Sequence, residues 1–162
     1  MDSLALARDR FYVSAGFAEV FASVKRAPTA LAATVFAIPG AADVQTTLEQ
    51  VVRIELPGVA DPVVNQLIGV DPRAPARMNR VTVRNDRALD VTQGAGQAIP
   101  AVVSAAFPDV RGLEPGSKIS ALINGKRRTL EIAGIALSPE FIFAGQQGVP
   151  DLRSFGVFWV PL

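Results

Sequence analysis

The sequence contains neither cysteine nor histidine among its 162 residues. Without cysteine the chain has no disulfide, no thiol nucleophile and no thiolate ligand for a metal. Without histidine it lacks the commonest general base, the usual partner of a serine nucleophile and the commonest metal ligand. Hydrolase and zinc-enzyme functions are therefore disfavoured. We expect a non-catalytic protein that needs no cofactor and no metal.

An excess of either charge is also missing. Sixteen basic residues face fifteen acidic ones, which gives a net charge of +1. This balance disfavours nucleic-acid binding, because such domains usually carry a strongly basic surface. The one short basic run is Lys126-Arg127-Arg128. We interpret it as a solvated turn that protects a strand edge, with contact to a phosphate or an acidic partner as the alternative.

Long hydrophobic runs are absent although the chain is apolar, with 49% hydrophobic residues and a mean hydropathy of +0.30. The longest apolar run, residues 30–44, is broken by Thr34, Pro39 and Gly40. A spanning helix needs about 20 apolar residues, so this run is too short and too interrupted. Because charged residues interrupt the first ten positions, we expect that this stretch is not a secretory signal peptide. We expect either a cytosolic chain or a segment separated from its membrane anchors.

Apolar residues at three- and four-residue spacing predict two N-terminal helices. The first helix covers residues 3–26, and its apolar face consists of Phe17, Val20, Phe21 and Val24. The second helix runs from about Pro28 to Ile38, where Pro39-Gly40 ends it. It is expected to bury Leu31, Val35 and Ile38.

Alternating apolar residues predict strands in the remainder of the chain. The expected strands are Leu48–Leu56, Val63–Val70, Arg80–Arg84, Ala101–Val103, Lys118–Ile123 and Lys126–Ile135, with a further apolar segment at Phe155–Val160. Asn124-Gly125 favours a type I′ turn between two of these strands. A short helix is expected after Ser104, its N-cap, and it ends at Gly112. Residues 85–100 are expected to be the least ordered part.

This order of elements predicts an α+β fold, because helices come first and the strands that follow are mostly antiparallel. We expect N-terminal helices with a mostly antiparallel sheet and a small β-rich lobe.

Two motifs suggest chemistry only weakly. Gly94-Ala95-Gly96 lacks a third glycine at the right offset and follows no clear strand, which favours a flexible loop over a phosphate site. Ser138-Pro139-Glu140 would need lysine or glutamate as the base for a serine hydrolase, and a turn is favoured. The C-terminal aromatic residues are expected mainly in the core, with some on a contact surface. They are Phe141, Phe143, Phe155, Phe158 and Trp159.

Several segments together resemble a known family. Residues 17–22, followed by Lys25-Arg26-Ala27-Pro28, resemble the segment after the first membrane helix of FtsX-like ABC transporter permeases. Four further segments are similar, in order and spacing, to the large periplasmic domain of the MacB-like branch; they are residues 112–116, 124–130, 134–141 and 150–156. The resemblance covers nearly the whole chain. It departs from the family at Asn85-Asp86-Arg87, where a Gly-Arg pair is common.

This resemblance implies an extracytoplasmic domain of a bacterial inner-membrane permease, facing the periplasm or the cell exterior. It implies a porter-like lobe from residues 1–84 and 139–162 and a small β-rich lobe from residues 85–138, the MacB periplasmic-domain arrangement. The implied function is to couple membrane-helix movement to export or to lipoprotein or lipid handling. The implied partners are the membrane helices of the same permease, a separate cytoplasmic ATPase subunit, a periplasmic protein or lipid cargo, and a second copy of the chain.

The candidate coupling or partner contacts are Phe17, Phe21, Arg26, Lys126, Arg127, Arg128, Phe141 and Trp159. A continuous helix around residues 11–26 is expected to transmit motion from the membrane. The main alternative is a stand-alone β-rich protein-binding module. A hydrolase that uses Ser138 is the third hypothesis.

Overall fold

The computed structural model describes residues 2–84, 98–141, 145–146, 149–150 and 155–162. The helices in these ranges are α1 (Asp2–Ala15), α2 (Leu31–Phe36) and α3 (Ala106–Arg111). The strands are β1 (Leu48–Glu55), β2 (Val63–Val70), β3 (Thr82–Val83), β4 (Ile99–Ser104), β5 (Lys118–Ile123), β6 (Lys126–Leu137), β7 (Gly145–Gln146), β8 (Val149–Pro150) and β9 (Val157–Pro161).

Six strands close into a barrel. They follow the order β6-β4-β9-β2-β1-β5, and β5 pairs back with β6. The β2–β9 and β4–β6 pairs are parallel, and the other four pairs are antiparallel. The twelve residues of β6 make closure possible, because its first half pairs with β5 and its second half with β4. The short strand β3 adds to the end of β6, and β7 and β8 form a separate small pair.

The interior of the barrel holds the main hydrophobic core. On β1, Val52 and Ile54 face inward while Val51 and Arg53 are exposed, as a period of two requires. The short helix α3 adds Phe107, whose ring packs edge-on against Phe158 with centroids 5.6 Å apart. The other residues of this core include Leu67, Ala101, Val103, Ile119, Ala121, Leu130, Ile132 and Val160.

A second hydrophobic cluster lies on the outside of the same barrel. Outward-facing residues of β2, β4, β6 and β9 are buried there by the chain around β3; they are Ile68, Val102, Ala136, Val157 and Trp159. Val83 and Phe155 complete the cluster, and Val81 and Phe141 pack against it. Part of the sheet is thus covered on both faces, which explains why the sequences of β4 and β9 are almost entirely apolar.

The predicted α+β fold is wrong. The part of the chain that the structure describes is mostly β, and its central feature is a closed barrel rather than an open MacB-like sheet with helices. The β2–β9 and β4–β6 pairs join strands far apart in sequence, and local periodicity carries no information about such pairing. Strands from both expected lobes share this barrel, β1, β2 and β9 from one range and β4, β5 and β6 from the other.

The helix over residues 3–26 is also wrong beyond Ala15. Gly16 has a φ of 65°, in the left-handed region where a helix ends, and residues 17–30 form neither helix nor strand. The second helix is confirmed only for the six residues of α2. Ser104 is not an N-cap; it lies in β4, where its hydroxyl accepts a hydrogen bond from the Val157 amide at 3.1 Å.

Other local predictions are confirmed. Strands β1, β2, β5 and β6 lie within two residues of their predicted bounds. Asn124 and Gly125 have φ values of 50° and 73°, as a type I′ turn requires. Gly112 ends α3 with a φ of 63°. Of the region expected to be least ordered, residues 85–97 lie outside the described residues, and so does the Gly94-Ala95-Gly96 motif.

Candidate functional site

Residues 17–38, which we call the apolar segment, carry most of the exposed apolar side chains of the N-terminal region. Eight large apolar residues here have between 37% and 83% of their surface exposed. They are Phe17, Val20, Phe21, Val24, Leu31, Val35, Phe36 and Ile38. Contiguous apolar exposure of this kind marks contact surfaces in folded proteins. The predicted burial of Leu31, Val35 and Ile38 is therefore wrong.

The first end of the apolar segment is held by residues 77–80, which we call the anchoring loop. The amides of Asn79 and Arg80 donate to the carbonyls of Gly16 and Ala15 at 2.9 and 2.8 Å. The Asn79 side-chain oxygen accepts from the Ala18 amide at 2.9 Å. The Arg80 guanidinium donates to the Ser14 carbonyl. These bonds attach the turn after α1 to the barrel.

The chain that follows the apolar segment is held by the same loop, through residues 43–45. The Gln45 side-chain oxygen accepts from the amides of Arg77 and Met78 at 2.8 and 3.0 Å, and its amide nitrogen donates to the Met78 carbonyl at 3.2 Å. An ion pair of 2.9 Å joins Arg77 to Asp43. Residues 19–42 therefore leave and return at one place, as in an Ω-loop but longer.

This attachment is polar rather than hydrophobic. Among the described residues, Ala15 is the only buried hydrophobic residue that precedes Val52. The aromatic rings here pack mainly on one another, since Tyr12 and Phe17 lie 4.7 Å apart and Phe17 and Phe21 lie 5.6 Å apart between centroids. Hydrogen bonds thus hold the segment in place while its apolar side chains stay available.

A carboxyl group lies directly behind the anchoring loop. Asn79 has a φ of 49°, a backbone conformation that asparagine tolerates better than most residues. Its side-chain nitrogen donates to the Glu140 carboxylate at 3.2 Å. Burial raises the pKa of Glu140, the nearby charge of Glu49 raises this pKa further, and the hydrogen bond from Asn79 partly opposes both effects. One side chain therefore contacts both the N-terminal turn and a half-buried acid.

The basic run lies at the tip of the β5–β6 hairpin and is exposed. Arg127 forms an ion pair of 2.8 Å with Glu55 on β1. The Gln50 side chain donates to Asn124 in the hairpin turn at 2.8 Å, which ties this tip to the beginning of β1. Lys126 and Arg128 remain at the surface.

The aromatic candidates differ from one another in exposure. Phe17, Phe21 and Arg26 lie on the exposed apolar segment. Trp159 is only 4% exposed and packs edge-on against the half-buried Phe141, with ring centroids 6.2 Å apart. Both rings belong to the second cluster or pack against it, so the structure does not bring them to a common surface with the segment.

Ser138 is buried, and its hydroxyl accepts a hydrogen bond from the Glu140 amide at 3.3 Å. This is the geometry of a turn. Within the described residues no three carboxylates come together as a metal site would require. The helices in the described ranges include none that is long and apolar enough to cross a membrane.

The sequence indicated Phe17, Phe21 and Arg26 as candidates but did not point to the anchoring loop. One signal was present: after glycine, asparagine is among the residues most able to adopt a positive φ. Nothing in the sequence linked Asn79 to Gly16 or Met78 to Gln45, because both contacts join distant parts of the chain.

A comparison with protein-family models returns no matching family, and a comparison with characterised proteins returns no match.

Proposed function

We propose that this chain is a non-catalytic extracytoplasmic domain of an FtsX-like ABC transporter permease, which contacts the membrane helices of that permease through the apolar segment. The observation that carries the proposal is the exposure of eight apolar side chains on a segment whose two ends are held by one loop. The resemblance of residues 17–28 to the family adds support, because it covers this same segment.

The coupling role has a physical basis in the anchoring. A displacement of the apolar segment reaches the barrel through the Asn79 and Arg80 hydrogen bonds, rather than through a continuous helix as the sequence suggested. The closed barrel then moves as a body, because every one of its six strands is paired on both sides. A separate ATPase subunit would supply the energy.

The proposal is tested by photo-crosslinking in the complete gene product. A photoreactive phenylalanine analogue replaces Phe17, and the matched control places it at Thr129, an exposed position on β6. We expect mass spectrometry to find crosslinks from position 17, but not from 129, to membrane-embedded peptides of the permease. Equal crosslinking from both positions, or none to such peptides, would refute the proposal.

A second candidate function is a stand-alone protein-binding module, which the closed barrel favours. Its interior core is drawn from residues 52–160, so it does not need the N-terminal region. Reading the downstream coding sequence separates the candidates. Three further membrane-spanning helices and a neighbouring ATPase gene support the permease, whereas a soluble product supports the module.

A further inference from the structure

We propose that residues 20–26 bind the headgroup region of an acidic phospholipid bilayer, with Val20, Phe21 and Val24 inserted among the lipids and Lys25 and Arg26 on the phosphates. This inference rests on the proposed function in one respect, namely that the domain lies beside a membrane. It adds the chemistry of the surface that the segment meets.

The first observation is the charge of the segment. Between residues 17 and 42, Lys25 and Arg26 are the basic residues and Glu19 is the single acidic one. Lys25 and Arg26 are exposed, and the described part of the chain offers them no ion pair. Adjacent basic residues beside exposed apolar ones are typical of segments that lie on anionic membranes.

The second observation is the backbone. Residues 17–30 form neither helix nor strand, so their amide and carbonyl groups lack a regular ladder. Such groups are not tolerated among the lipid chains at the centre of a bilayer, but the hydrated headgroup region satisfies them. The segment therefore fits the headgroup region of a bilayer. There its apolar side chains can reach a short distance into the lipid chains while its basic side chains contact the phosphates.

The third observation is the way the segment is presented. The anchoring loop holds both ends, so Val20 (83% exposed), Phe21 (51%) and Val24 (64%) are displayed away from the barrel core. A bilayer adapts its shape to an irregular surface, which a folded partner does not. In a two-fold symmetric dimer centred on this segment, Lys25 and Arg26 would face the same two residues of the second copy. The repulsion between these like charges disfavours a second copy of the chain as the binding partner of the segment.

The test is co-sedimentation of the full chain with lipid vesicles. One set of vesicles contains phosphatidylcholine alone. The other set also contains phosphatidylglycerol, at about 30 mol per cent, which gives the vesicle surface a negative charge. We expect binding to the anionic vesicles that weakens as salt is added. Lys25→Gln with Arg26→Gln should reduce the partition coefficient on the order of tenfold to thirtyfold. Phe21→Ser with Val24→Ser should reduce binding to both vesicle types.

The matched control removes the same amount of charge outside the apolar segment. Arg53→Gln with Arg73→Gln changes two exposed basic residues, on β1 and after β2, and should leave binding within about twofold of the unchanged chain. Circular dichroism of each variant verifies that the fold is retained, and these positions are exposed, so we expect no loss.

Three results of the vesicle experiment would overturn the inference. They are absence of vesicle binding, equal binding to neutral and anionic vesicles, and an effect of the Arg53→Gln with Arg73→Gln control equal to that of Lys25→Gln with Arg26→Gln. A dimer in analytical ultracentrifugation that Phe21→Ser dissociates would identify a second copy as the occupant instead. If the chain does not bind the vesicles but still forms the crosslinks from position 17, the lipid contact alone is refuted. Loss of those crosslinks with vesicle binding retained refutes the permease assignment.

Discussion

At the scale of single residues, Asn79 and Glu140 show how one side chain serves two neighbours. The Asn79 amide group accepts from the Ala18 backbone and donates to the Glu140 carboxylate. Burial and the Glu49 charge disfavour the ionised form of Glu140, so its pKa lies above the ordinary value of 4.5. A buried acid of this kind makes stability depend on pH.

The sign of this dependence follows from proton binding. Because the pKa of Glu140 is raised on folding, the native state holds its proton more tightly than the unfolded state. The contribution of Glu140 to stability is therefore fully present below its unfolded pKa and is lost as pH rises through its folded pKa. The free energy of unfolding of Glu140→Gln can be measured with urea at several pH values from 4 to 8. We expect the variant to gain stability relative to the unchanged chain as pH rises through the folded pKa of Glu140.

Glu49→Gln is the control for that prediction. The Glu49 charge raises the Glu140 pKa, but burial raises it more. In the Glu49→Gln variant, stability should therefore depend less strongly on pH, and it should still fall as pH rises through the folded pKa of Glu140. A Glu140→Gln variant whose advantage is constant across the pH range would contradict the assignment of the pKa shift.

At the scale of elements, Gly16 decides where α1 ends. It has a φ of 65°, and a Cβ atom here would lie 2.9 Å from the Arg77 carbonyl oxygen. Gly112 ends α3 with nearly the same φ of 63°, but a Cβ atom there would meet no atom within 4 Å. The two glycines therefore share the backbone requirement and differ only in the contact with the anchoring loop.

This difference makes a matched pair of variants. Gly112→Ala should lower the free energy of unfolding by about 1–2 kcal/mol, the cost of a left-handed alanine. Gly16→Ala should instead weaken the attachment of the turn to the anchoring loop. At this position the left-handed backbone is strained, and the new Cβ atom also crowds the Arg77 carbonyl oxygen. We expect the amides of Asn79 and Arg80 to exchange with deuterium roughly tenfold faster in Gly16→Ala, for a strain of that size.

Nuclear magnetic resonance of the two variants measures this exchange residue by residue. In Gly112→Ala the same two amides should exchange nearly as in the unchanged chain, apart from global opening. Equal acceleration in both variants would show that the Arg77 contact does not hold the N-terminal turn.

At the scale of the whole molecule, the barrel and the N-terminal region, residues 2–46, are stabilised by different interactions. Among the described residues, every buried hydrophobic residue except Ala15 lies between Val52 and Val160. The N-terminal region is held mainly by hydrogen bonds to the anchoring loop. The barrel should therefore fold without the N-terminal region.

Removal of residues 2–46 tests this independence. We expect cooperative urea unfolding to persist, with a free energy lower by about 1–3 kcal/mol from the lost hydrogen bonds. Fluorescence of Trp159, the single tryptophan and a buried one, reports the transition. Removal of residues 2–13 alone leaves both anchors and should cost less. A shorter chain that binds hydrophobic dyes and unfolds without cooperativity would contradict the separation.

Much of the local structure was predictable from sequence. Strand positions, the Asn124-Gly125 turn and the end of α3 at Gly112 follow from side-chain alternation and from backbone preferences, which act between near neighbours. The absence of cysteine and histidine likewise limits the chemistry whatever the fold. The apolar residues near the N-terminus were visible as a pattern, but the pattern was assigned to two helices, and Leu31, Val35 and Ile38 were expected to be buried.

Only the tertiary structure decided barrel closure, the exposure of the apolar segment and its attachment at both ends to residues 77–80. Each depends on contacts between residues far apart in sequence. The period of an apolar pattern shows which side chains share a face and does not show what covers that face. The sequence by itself determined where most of the strands lie, and it excluded chemistry that needs cysteine or histidine. The long-range pairing of β2 with β9 and of β4 with β6 made it a barrel that leaves its apolar N-terminal segment exposed.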